Sequence, residues 1–254
     1  MSRNDSYDLN ELNDVILSTI EFFKGQLANQ DDKHLDVLLP HPTRFRYLHE
    51  YEEYDGKKGG ILIVGFNPHV QVKGKNGEIE SENDREIWKN RYEIGERNTS
   101  DLLLNKYPYF SLFTTNACKP NDKKNYSMNL SKIERNIKFT DVVLIRTSSK
   151  KVLLTKCVEN QDVLDCLIQG GWEWYLRPVI ELTQPKIIVC NSADLSLFLE
   201  REFHSSNDGP IEDVIQITLN GSTIPVVLSG QVTGQRAIDK WTLVRMRQAI
   251  ITNL

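Results

Sequence analysis

Three segments of this chain combine side-chain amides or hydroxyls with glycine or proline. They are Gly65-Phe66-Asn67-Pro68-His69, Thr115-Asn116-Ala117-Cys118-Lys119-Pro120 and Leu228-Ser229-Gly230-Gln231-Val232-Thr233-Gly234-Gln235-Arg236. Glycine lets a backbone approach a ligand closely, and proline stiffens the turn that presents the polar group. Such loops suit recognition of a flat, polar molecule. None is a phosphate-binding Walker loop, a dinucleotide fingerprint, a zinc-binding HExxH helix or a GxSxG nucleophile elbow. The four cysteines, Cys118, Cys157, Cys166 and Cys190, lack the spacing of a zinc knuckle or a redox pair. Cys190 ends an apolar run and reads as a small buried hydrophobe. Cys118, before Lys119, is the mild candidate for a catalytic thiol, which needs a basic, semi-exposed setting.

The segments between these loops set where they sit. Leu9, Leu12, Val15, Ile16, Ile20, Phe23 and Leu27 recur at helical spacing, so one face of residues 8–29 should pack on the body. Gly59-Gly60 precede Ile61-Leu62-Ile63-Val64-Gly65, a short β-branched run that predicts a strand buried on both faces. Asn67-Pro68 stops it and places the first loop at its C-terminal edge, where open α/β sheets bind ligands. Residues 70–83 read as a polar loop and 84–106 as helix. Phe110-Ser111-Leu112-Phe113 leads as a short strand into the second loop. Asp141-Val142-Val143-Leu144-Ile145 fits either a strand or the end of a helix.

Residues 162–182 have a long helical pattern with Pro178 as a candidate kink. Gln184-Pro185 ends it, and Lys186-Ile187-Ile188-Val189-Cys190 is a second buried-strand signature. Ser192 is placed to cap a helix through Phe203. Val214–Leu219 and Ser222–Leu228 flank Asn220-Gly221, a strong hairpin signal, and residues 236–250 return as an amphipathic helix. Buried strands alternating with helices predict an α/β layered sheet, mixed at one edge by the hairpin. With no repeat or linker, residues 1–254 read as a single domain, with 1–58 as an N-terminal helical extension.

The composition is that of an ordinary globular protein: 254 residues, 39% hydrophobic and 26% charged, which excludes collagen-like and disordered classes. There is no apolar run of membrane-spanning length and no secretory signal behind the polar N-terminus, so the expectation is a soluble, cytoplasmic protein without membrane partners. The net charge of −4 conceals a local asymmetry. Residues 1–60 carry 12 acids and 7 bases, whereas residues 119–156 carry 10 bases against Asp122, Glu134 and Asp141. Residues 231–250 add Arg236, Lys240, Arg245 and Arg247 against Asp239. A local basic face can neutralise phosphates on an acidic protein, although such runs also occur as solvated lysines.

The segment Ile61–His69, ILIVGFNPH, resembles the first motif of the uracil-DNA glycosylase superfamily, in which a buried strand ends in a G-x-N-P or G-Q-D-P loop. Phe113–Pro120, FTTNACKP, resembles the N-x-C-P segment of that superfamily's single-strand-selective branch. Residues 174–199 are similar to its helix before a PKIIV strand, and Ile224–Gln231, IPVVLSGQ, stands where its last strand delivers a His-Pro-Ser loop. The similarity runs in order over residues 59–250.

The resemblance implies a three-layer α/β/α sandwich with a central, mainly parallel sheet. It also implies a protein that flips a base out of single- or double-stranded DNA and hydrolyses its N-glycosidic bond, with no cofactor and no metal. The bond breaks through an oxocarbenium-like sugar. Asn67 matches the residue that positions water; an amide orients water but cannot take its proton. Asn116 matches the base-reading amide, whose carbonyl and NH₂ can pair with uracil N3–H and O4 together. Gly65 and Pro68 shape the first loop. Each asparagine also has a structural reading, as a turn residue capping its own backbone or bonded to the main chain.

The final motif departs from the family. Ser229-Gly230-Gln231 replaces the histidine that stabilises the departing base, and none of the five histidines follows that strand. Ser229, Gln231 and Arg236 are the substitute donors there. His69 is a donor from the first loop, or simply a solvated loop histidine. The stacking aromatic has no counterpart between Phe66 and Trp88, which leaves Phe110 and Phe113, each also readable as strand core. Two further readings stay open. One is a degenerate member of the same fold that binds nucleic acid or nucleotide without cleaving it, and the other is an unrelated α/β enzyme acting on a small nucleotide.

Overall fold

The computed structural model describes residues 5–28, 54–66, 72–73, 78–79, 136–145, 161–203, 214–229 and 240–254. The first helical pattern forms α1 (Leu9–Ala28), opened by Asp8, whose Oδ1 accepts the Asn10 N–H at 2.8 Å. Leu12, Ile16, Ile20 and Phe23 are buried on its inner face. The glycine-bounded run forms β1 (Ile61–Gly65), buried at all five positions.

Residues 70–83, read above as a loop, contain two short strands, β2 (Val72–Lys73) and β3 (Glu78–Ile79), paired antiparallel. The segment left open between strand and helix resolves differently. The strand is β4 (Ile137–Asp141), and it ends where the apolar run Val142–Ile145 begins.

The long pattern forms α2 (Gln161–Gly171) and α3 (Arg177–Thr183), joined without a break by a π-helical turn, Trp172–Leu176. Pro178 has no N–H to give the Trp174 carbonyl four residues earlier. The buried Thr19 hydroxyl on α1 lies 2.9 Å from that oxygen and 2.7 Å from Val15 O, so it shares its one proton between them. The irregular turn is thereby docked on α1 rather than left as a free kink. Gly171 permits another close approach, since a Cβ there would collide with the Val142 carbonyl.

Next come β5 (Ile187–Cys190), fully buried, and α4 (Ala193–Phe203). β6 (Val214–Leu219) and β7 (Ser222–Val227) form the expected hairpin, with Asn220 and Gly221 at φ 48° and 77°. Positive φ at both turn residues is what a tight hairpin matching the strand twist requires. The last helix is α5 (Lys240–Asn253).

The strands form a five-stranded sheet in the order β4-β1-β5-β7-β6. β1 pairs in parallel with both β4 and β5, β5 pairs in parallel with β7, and β6 is antiparallel at the edge. The fold is thus α/β with a mixed, mostly parallel sheet. Alternate residues of β1 and β5 face opposite clusters. Leu62, Val64, Ile188 and Cys190 join α1, α2, α3 and α4, whereas Ile61, Ile63, Ile187 and Val189 join Met246 and Ile250 of α5. A strand covered on both faces must be apolar at every position, which is why β1 and β5 show no alternation. No helix among the described residues is long and apolar enough to cross a membrane.

Candidate functional site

From β1 the chain passes to β4 on one side and later to β5 on the other, so the winding direction reverses at β1. In doubly wound sheets of this order the crevice for a ligand opens beyond the carboxyl ends of the strands flanking that reversal. The residues there are Gly65 at the end of β1 and Phe66 after it, Asn191 and Ser192 after β5, Asp141 at the end of β4 and Ser229 beyond β7. All are buried by their surroundings.

Backbone bonds hold this edge on both sides of β1. Asn191 N–H donates to Val64 O at 2.7 Å, Val142 N–H to Gly65 O at 3.1 Å and Val143 N–H to Phe66 O at 2.9 Å. The start of the first loop is therefore clamped up to the residue before Asn67. Gly65 lies in register with Asp141, and a Cβ on Gly65 would meet the Asp141 Oδ1 atom. Glycine here leaves room for the carboxylate packed against it.

The opposite wall is built from α4. Ser192 Oγ accepts the Leu195 N–H at 3.4 Å and Ser192 O accepts the Ser196 N–H at 2.9 Å, which makes Ser192 the N-cap that its position predicts. Ser196 Oγ donates to Ser229 O at 2.8 Å and accepts from Ser229 N–H at 3.1 Å. One hydroxyl thus satisfies both main-chain groups of Ser229 and fixes the start of the third loop.

Cys190, beneath this wall, is fully buried, and burial pushes its thiol from 9.0 up to about 12, opposed only by the neighbouring Ser196 side chain. It is a packing residue, as its position in the strand predicts. A pH dependence follows. Between pH 9 and about 12 the unfolded chain loses this proton while the folded chain keeps it, so stability should fall as pH rises through that window. Urea melts at pH 8.5 and 10.5 should show a smaller drop in Cys190→Ala than in the parent; equal drops would refute the assignment.

Of the residues singled out in the sequence, Gly65 and Ser229 both stand at this edge. Asn67, Pro68, His69, Asn116, Gln231 and Arg236 lie outside the described residues, as do Phe110, Phe113 and Cys118. Asp141 also stands at this edge, although IKFTDVVLI carries no strand boundary that a period would reveal. Its signal was an acid placed directly before an apolar run.

The basic segment also needs revision. Lys138 is buried, and its Nζ donates to Asn136 Oδ1, so it belongs to the interior and not to a basic face. The other nine bases of residues 119–156 lie outside the described residues. No group of three or more metal-ligating side chains occurs among the described residues. No protein-family model matches the chain, and no curated protein matches it in sequence.

Proposed function

We propose that the chain is a uracil-DNA glycosylase-like protein that hydrolyses the N-glycosidic bond of a flipped uracil in DNA. The observation that carries the reading is β1: a buried, interior, parallel strand ending in Gly65, two residues before Asn67-Pro68-His69. Helices packed against both sheet faces support the three-layer α/β/α architecture that the resemblance implies. In this reading Asn67 orients the attacking water and Asn116 reads the base edge. His69, Ser229, Gln231 and Arg236 supply hydrogen bonds to the departing base, in place of a histidine on the last loop.

A gel assay on uracil-containing single- and double-stranded oligonucleotides tests this. Abasic sites should form, and their absence at high enzyme excess would refute the activity. Asn67→Ala should lower the single-turnover rate by about 100-fold with DNA affinity retained. Asn116→Ala should relax base preference by roughly tenfold. Loss of thermal stability alone in both variants would make the residues structural.

The second reading is a degenerate member of the fold that binds DNA without cleaving it, and Ser229-Gly230-Gln231 in place of a histidine loop favours it. Losing one such donor costs about 2.7–4 kcal/mol of barrier, which slows the reaction without abolishing it. Salt-sensitive DNA binding with no abasic product would select this reading.

A further inference from the structure

We propose that the surface around Trp174 docks a basic segment of a partner protein, with an arginine or lysine laid over the indole. The site lies on α1, α2 and the π-helical turn and does not depend on the glycosylase reading.

Among the described side chains Trp174 is the exposed aromatic, 54% open to solvent, while Trp172, Tyr175 and Leu176 of the same turn are buried. π-helical turns are rare and frequently mark functional sites. Three contacts hold this one in place. The Thr19 hydroxyl reaches the Trp174 carbonyl at 2.9 Å. The indole stacks on Phe22, with ring centroids 6.2 Å apart and planes inclined by 20°. Phe22 in turn rests on Gly170, where a Cβ would collide with its ring. An aromatic seated in this way has little freedom left to lose on binding, and tryptophan is among the residues that most often anchor an interface.

Charge names the occupant. α1, α2, the π-helical turn and α3 carry seven acids against Lys24 and Arg177. Glu11, Asp14 and Glu21 recur at helical spacing on the exposed face of α1, and Glu21 directly precedes Phe22. Glu173, next to Trp174, is also exposed. Both bases are already engaged, Lys24 with Glu21 and Arg177 with Glu173 and Glu181. Pairs this exposed contribute little, so an incoming cation can replace them. Phosphates are repelled by such a surface, which argues against nucleic acid here. A guanidinium or ammonium gains twice, from the indole face and from the surrounding carboxylates.

The test is fluorescence anisotropy of a labelled peptide alternating arginine and alanine, titrated with the full chain, with a glutamate–alanine peptide as control. The arginine peptide should bind, less tightly at high salt, and the control should not. Trp174→Ala should weaken binding about tenfold with the melting temperature unchanged, and Trp174→Phe should recover part of the loss. Should Trp174→Ala not fold, the exposed pair Glu21→Gln and Glu173→Gln should weaken binding instead. No binding by the parent, equal binding of the control, or full affinity in the folded variants overturns the proposal. Sedimentation equilibrium of the parent supplies the remaining outcome: self-association abolished by Trp174→Ala would make a second copy the occupant and overturn the basic partner.

Discussion

Gly60→Ala is expected to lower the melting temperature by about 10 °C. The residue sits at φ 79°, a conformation that L side chains rarely adopt, and a Cβ there would collide with the Asn136 carbonyl oxygen. Neither obstacle can step aside. Asn136 O accepts the Ile61 N–H at 2.8 Å, and Gly60 O accepts the Lys186 N–H at 2.8 Å. The glycine thus lies where β1, β4 and β5 begin together, and moving it misaligns three strands. Backbone strain and overpacking together come to roughly 3–5 kcal/mol. For a chain of this size each kcal/mol shifts the midpoint by about 2–4 °C. Differential scanning calorimetry decides it, and a drop under 2 °C would show that the three strands tolerate the shift.

Gly65→Ala should differ, with a smaller loss of stability and a large loss of turnover. The atom that a new Cβ would meet is Asp141 Oδ1, the far end of a side chain and not backbone. Displacing that buried carboxylate costs about 1–3 kcal/mol, the usual range for overpacking. On the glycosylase reading, a disturbed strand end two residues before Asn67 misplaces the attacking water, and single-turnover cleavage should fall by about 100-fold. Two glycines five residues apart, on one strand and its lead-in, would then separate stability from chemistry. A variant that melts early yet cleaves normally would reverse this assignment.

Much of the scaffold could be read in advance, for local reasons. β1 and β5 are runs of β-branched residues without alternation, and only a strand covered on both faces has that composition. Asn220-Gly221 specifies its turn through two positive φ angles. Ser192 caps α4 through an oxygen three residues from its partner, and α1 buries the stripe that its spacing lays out.

The π-helical turn was not readable. Pro178 marks a disturbance in the helix, but its resolution depends on Thr19, a residue of another helix supplying the shared hydroxyl. Lys138 misled for a similar reason. In sequence it belongs to a basic run, yet the strand containing it pairs with β1 and turns the side chain inward, toward Asn136. Solvation of a charge is decided by what lies opposite it, which no local count contains.

The candidate site divides along the same line. The sequence by itself determined that a buried strand ends at Gly65 ahead of Asn67-Pro68, because composition and glycine placement are properties of contiguous residues. Only the tertiary structure decided that β4 lies beside β1, that Asp141 rests on Gly65, and that Ser196 holds Ser229. Those pairings join segments distant in the chain. They arise from burying two sheet faces at once, and such a choice is made by the whole sheet and not by any one strand.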